Sequence, residues 1–214
     1  MMKKKFIPLF ILLFYMLNIN SQEFTHPGLL HSDSSLKRIR ELVRNDIQPA
    51  YGSFNIMRGM PEGKADYCIK GPFETISRAG RYGYTKDPCE RDFNAAYYNA
   101  ILWIVTGKEP HADKAMEIIR AYASTLKKIE GPDDPLCAGL QGFMLVNAAE
   151  IMRYTYTADK YTNGWDAKDT PKVESMFRDV FQPILTTLYN TKPYTNGNWG
   201  IEVTKAQLAF GVFL

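Results

Sequence analysis

Apolar positions recur along this chain at helical spacing, one segment after another, with turn chemistry between them. Leu36, Ile39, Val43 and Ile47 follow Ser32, Asp33 and Ser34, any of which can cap a first turn, and together they predict a first helix. The stretch from Gly59 to Tyr84 is broken by glycine and proline among aromatic and charged residues, which predicts a long loop of the kind that carries function. Asp87-Pro88-Cys89-Glu90 then reads as a helix start, with Asp as cap, Pro at the first helical position and Glu three residues on. The apolar face that follows, Phe93, Ala96, Tyr97, Ala100, Ile101, Ile104 and Val105, stops at Gly107, where a left-handed terminating residue fits.

A third helix is expected over about Ala112 to Ile129, ended by Gly131, and the short link before it predicts an antiparallel hairpin with the second. Asp134 and Pro135 open a fourth helix, with Leu136, Leu140, Phe143, Met144, Asn147, Ile151 and Tyr154 on one face. Thr170 and Pro171 open a fifth, which Pro183 should kink or split because proline lacks the N–H and collides with the preceding turn. A last helix starts near Asn198. No alternating run is long enough for a sheet, and no glycine-rich phosphate loop follows a strand, so the predicted class is all-α. Helical hairpins without a fixed-period repeat favour a toroid over a solenoid. The final helix runs out through Leu208, Ala209, Phe210, Gly211, Val212, Phe213 and Leu214 with no polar tail, which leads us to expect the N-terminal part of a longer protein.

Charge changes the picture at the N-terminus. The formal net charge of +3 is supplied by Lys3, Lys4 and Lys5, because the other 23 basic side chains balance the 23 acidic ones. These lysines precede an apolar stretch from Phe6 to Leu17 and small residues near Ser21, the pattern of a secretory signal peptide over 1–22, although an uncleaved anchor shares it. The expected mature chain, 23–214, is neutral and exported to the periplasm or secreted, with no membrane attachment after cleavage. A neutral body has no basic stripe for phosphates, which argues against a nucleic-acid partner. Cys68, Cys89 and Cys137 are too few for a disulfide scaffold, and one bridge or three free thiols both fit. They and His26, His31 and His111 lack metal-site spacing, so neither a metal nor another cofactor is expected.

Four segments, in order, resemble the helical alginate lyase family: HPGLLHSDSSLKRIRELV from His26, ERDFNAAYYNAILWIVTG from Glu90, LQGFMLVNAAEIMRYT from Leu140 and NGNWGIEVTKAQLAFGVFL from Asn196. The resemblance implies an (α/α) toroid, a substrate that is a uronic-acid polysaccharide or oligosaccharide, and cleavage by β-elimination. Such a site removes the C5 proton beside a carboxylate, which an amide or arginine neutralises, and expels the C4 oxygen; Tyr or His serves as base and Tyr as acid. Asn198 matches the family's carboxylate-neutralising asparagine, though it can equally only cap its helix. The family's following histidine is replaced by Trp199, a candidate for sugar stacking or for the core. Arg78, Arg81 and Tyr82 lie in the glycine-rich loop where the family carries arginine, and Gln141 is the lone amide on its helix face; these are the remaining substrate-binding candidates. Tyr97 or Tyr98 is expected to face inward, and His26 and His31 to serve turn structure. The family's catalytic tyrosine is expected beyond Leu214. Two other readings remain open: a glycoside hydrolase, drawing on Asp92, Glu150 or Glu202, and a non-catalytic carbohydrate-binding protein.

Overall fold

The computed structural model describes residues 24–188 and 197–214; the expected signal peptide at 1–22 and Asn196 lie outside them. The fold is all-α. Helix α1 spans Asp33–Arg44, and of its three candidate caps Ser32 takes the role, its hydroxyl accepting from the Ser35 amide at 3.2 Å. Ile47 is not part of it. The helix stops at Asn45, whose side chain donates to the Glu41 carbonyl, Asp46 turns with φ 55°, and Ile47 is left exposed. A helix the sequence pattern did not predict follows, α2, Ala50–Gly59, which buries only Phe54.

The long loop holds short one-turn segments at Pro61–Gly63 and Gly80–Thr85 and a two-residue strand, β1, Thr75–Ile76. Helix α3, Lys86–Thr106, begins one residue before the expected cap. Asp87 caps nothing: it is exposed and paired with Lys86 at 3.0 Å, while the Thr85 hydroxyl turns back to the Tyr82 carbonyl. Gly107 ends α3 in the left-handed region, φ 68°, as its position demands. Helix α4, Glu109–Thr125, is shorter at its far end than the pattern suggests, because Lys128–Ile129 leaves the helix to pair as β2, parallel to β1.

Helix α5, Asp134–Thr155, is buried nearly all round and packs against α3, α4 and the C-terminal helices. By length and composition it is apolar enough to cross a membrane, but here it forms the centre of the core. Helix α6, Asp169–Ser175, runs through a π-turn, Met176–Phe181, into α7, Gln182–Leu188. Pro183 therefore does not split the segment. The wider turn just before it absorbs the missing hydrogen bond. Helix α8, Asn198–Phe213, starts at the expected residue.

Helices α3, α5 and α8 run parallel. Cys89 and Cys137 interact near the starts of α3 and α5, and at their ends the Trp103 indole donates to the Thr155 hydroxyl at 3.2 Å. Gly139 of α5 faces the Glu202–Val203 backbone near the start of α8, and Arg153 donates to the Phe213 carbonyl at its end. A Cβ on Gly139 would sit 3.0 Å from the Glu202 backbone, so a glycine is what lets these two helices approach. The three starts thus share one end of the molecule.

Candidate functional site

That shared end gathers most of the residues singled out from sequence. Before α3, the loop carries an aromatic row: Phe73 meets Tyr84 edge-on with centroids 6.4 Å apart, Tyr84 lies 6.4 Å from Tyr82, and the Arg81 guanidinium sits over Tyr82 at 5.2 Å. Tyr84 is 69% exposed and Arg81 is exposed too, so the row offers flat apolar faces and a cation to solvent. Flat apolar faces stack on sugar rings, and a guanidinium forks onto a carboxylate. Tyr84 and Phe73 were not singled out in the sequence. The signal available was the Tyr-x-Tyr spacing of Tyr82 and Tyr84.

Arg78 has a different job. It donates to Glu90 of α3 at 2.6 Å, half-buried, and so ties the loop to the helix rather than facing solvent. What lies beneath is held by Asp92, fully buried on α3. Its carboxylate accepts from the Tyr67 hydroxyl at 2.9 Å, the Lys70 amide at 2.9 Å, the Gly71 amide at 2.8 Å and the Tyr122 hydroxyl at 2.8 Å. Burial, and then the neighbouring acid, push the Tyr67 phenol far above its ordinary range; burial does the same to Tyr122. Both therefore act as fixed donors. Asp92 is a loop anchor, with no free lone-pair direction aimed at a substrate.

Asn198 is the first residue of α8 and is exposed. Gly197 occupies the capping position and no side chain caps the helix, so the Asn198 amide is not used as a cap and has no hydrogen-bond partner among the described residues. Trp199 beside it is half-buried and packs on the core. Gln141, in the second turn of α5, is buried at 7% exposure between Gly139 and Gly142. In the first turn of α5, burial raises the carboxyl pKa of Asp134, which favours its protonated form. The thiols are free: Cys68 is exposed, Cys89 is buried with its pKa well above normal, and burial pushes Cys137 up to about 12.

Further along the helices, the N-terminal segment is strapped across α3 and α5. The Glu150 carboxylate takes His26 Nδ1 at 2.7 Å and the Gly28 amide at 3.0 Å, the Leu30 amide donates to Asn147 at 2.9 Å, and His31 Nε2 lies 2.6 Å from the Tyr97 hydroxyl. His26 stacks on Tyr154 with centroids 4.4 Å apart. Burial lowers the His31 pKa and raises that of Tyr97 to about 12, so both are neutral near pH 7. These links span more than 60 residues of sequence, which is why His26 and His31 read only as turn residues. Glu150 thus gives Oε1 to the strap, while its Oε2 is buried without a hydrogen-bond partner among the described residues. Arg153, three residues on, pairs with Glu174 at 3.1 Å, and Glu202 pairs with Lys205.

Among the described residues no cluster of His, Cys, Asp and Glu has the makings of a metal site. Comparison with protein-family models finds none that matches the chain, and comparisons with curated proteins and with solved structures likewise find no match.

Proposed function

We propose that this chain belongs to an exported polysaccharide lyase that cleaves a uronic-acid polymer by β-elimination, in full-length form, on an (α/α) toroid of helical hairpins. The observation that carries the reading is the sharing of one molecular end by Asn198 and by the row of Arg81, Tyr82, Tyr84 and Phe73. The parallel run of α3, α5 and α8, with α4 and α6–α7 packed against them, supports the toroid part of the reading.

In this reading the sugar ring stacks on Tyr82 and Tyr84 while Arg81 pairs with a uronate carboxylate. Asn198 donates its free amide to the carboxylate of the reacting sugar. The peptide N–H groups at the start of α8 add to the same field. Charge that flows onto that carboxylate as the C5 proton leaves is then held by donors already in position, which is where electrostatic stabilisation contributes most. The base and the acid that protonates the C4 oxygen come, in this reading, from the remainder of the full-length protein.

The test is to supply a panel of polyuronates to the full-length protein and follow the ultraviolet absorbance of the unsaturated product. The reading predicts absorbance that Asn198→Ala abolishes and Arg81→Ala weakens mainly through KM. New reducing ends without absorbance would mean hydrolysis instead, and saturable binding without either product would mean a carbohydrate-binding protein.

A further inference from the structure

At the opposite end of α3, 21 residues and so about 30 Å of helix away, lies a cavity of about 370 Å³. Helix α1 supplies Lys37, Arg40 and Arg44 to its wall, at spacings of three and four residues that put all three on one face. Trp103, Thr155 and Tyr161 line the rest. The acidic side chain on the lining is Asp33, and it is matched by Lys37 at 2.6 Å. That leaves two guanidinium charges without an acid among the described residues.

The two are held differently. Arg40 is half-buried and donates through Nε to the Ile104 carbonyl at 2.6 Å, which fixes the plane of its guanidinium and leaves both Nη groups without a hydrogen bond among the described residues. Arg44 is exposed and has no ion-pair partner among the described residues. The end of α3 presents carbonyls here, which repel an anion; the Arg40 bond to Ile104 answers one of them, so the attraction for an anion comes from the Nη groups and Arg44. The aromatic wall is rigid. Tyr161 stacks on Tyr156 with centroids 4.5 Å apart and meets Trp103 edge-on at 5.3 Å, while the Trp103 indole is tied to Thr155.

A forked cation pair beside fixed aromatic faces, in a space about the size of one or two sugar rings, matches a ligand with a carboxylate on one side and an apolar ring face on the other. We propose that this cavity is a second, non-catalytic site for a carboxylated sugar unit, held by Arg40 and Arg44 through its carboxylate and by Tyr161 and Trp103 through its ring. The choice of a uronate as ligand rests on the proposed function; the charge and shape of the cavity do not.

The experiment is a calorimetric and tryptophan-fluorescence titration of the full chain with D-glucuronate, D-glucose and inorganic phosphate, repeated on Arg44→Gln. Arg44 is exposed and its side chain makes no hydrogen bond or ion pair among the described residues, so the variant should melt with the wild type. Expected is saturable glucuronate binding, about tenfold weaker for glucose, for phosphate and in Arg44→Gln. Asn198→Ala removes binding at the other site alone, so the component that Arg44→Gln weakens should persist in it. Equal affinity for phosphate would reduce the cavity to a simple anion patch and overturn the proposal. So would unchanged binding in Arg44→Gln, loss of the Arg44-dependent component in Asn198→Ala, or no saturable binding at all.

Discussion

Asp92→Asn separates a loop anchor from a catalytic acid. The carboxylate receives two donors on each oxygen, one phenol and one backbone amide apiece. Asparagine keeps the shape but turns one oxygen into NH2. The phenol facing it can rotate and accept, whereas the backbone N–H of Gly71 or Lys70 cannot. One buried amide is therefore stranded whichever way the side chain is flipped, at a cost of about 1–3 kcal/mol, and the remaining bonds lose their charge assistance, about 1 kcal/mol more. The sum is about 3 kcal/mol. For a domain of this size that corresponds to a fall in melting temperature of about 6–12 °C. Calorimetry or circular-dichroism melting reads it, with Tyr122→Phe as the milder control at about 1 kcal/mol. The reasoning fails if Asp92→Asn melts with the wild type, and fails more instructively if it does so while losing turnover, since Asp92 would then be facing a substrate.

Other perturbations test separate parts of the fold. Tyr67 and Tyr122 have raised pKa values when folded, so they favour the folded state below the ordinary phenol range, and that stability drains as pH rises beyond about 10; alkaline melting curves of Tyr122→Phe should show a shallower loss. His31 and His111 are lowered by burial, so stability is full above about pH 6.5 and falls on acidification; His31→Gln should flatten that acid limb only in part, and an unchanged limb would contradict the assignment. Gly139→Ala should cost about 1–3 kcal/mol in denaturant unfolding, because the Glu202 backbone has no flexible end to yield. Arg120→Ala strips the two-pronged partner from Asp169, 3% exposed, and releases the Asn163 and Gly164 carbonyls, for a loss of about 2–4 kcal/mol.

The helical class was legible because the apolar face of α3, its stop at Gly107 and the Asp-Pro start of α5 are local signals, written within one or two turns. Helix α2 was not, since Ala50–Gly59 carries two glycines and one buried residue, Pro49 stands at its capping position, and its first turn is met by Gln48, whose side-chain oxygen accepts from the Gly52 amide at 3.2 Å, so its order comes from docking more than from its own pattern. The cap expected of Asp87 failed for a related reason: α3 grows directly out of the preceding turn, and Thr85 is already engaged with that turn. The π-turn before Pro183 lies outside any simple periodicity. In the candidate site, residue types were readable but partners were not. Nothing near Arg78 marks Glu90 as its mate in preference to solvent, and the pairing of His26 with Glu150 joins positions 124 apart. Lys37, Arg40 and Arg44 stand at helical spacing, but the spacing does not show the ends of α3 and α5 that complete the cavity with them.

The central claim is the chemistry at the shared helix starts, and the most direct measurement is ultraviolet absorbance of polyuronate incubated with the full-length protein, wild type beside Asn198→Ala. The account predicts an unsaturated product from the wild type and none from a variant that melts at the same temperature. Equal product from both, or a cleaved polymer without the double bond, would contradict it.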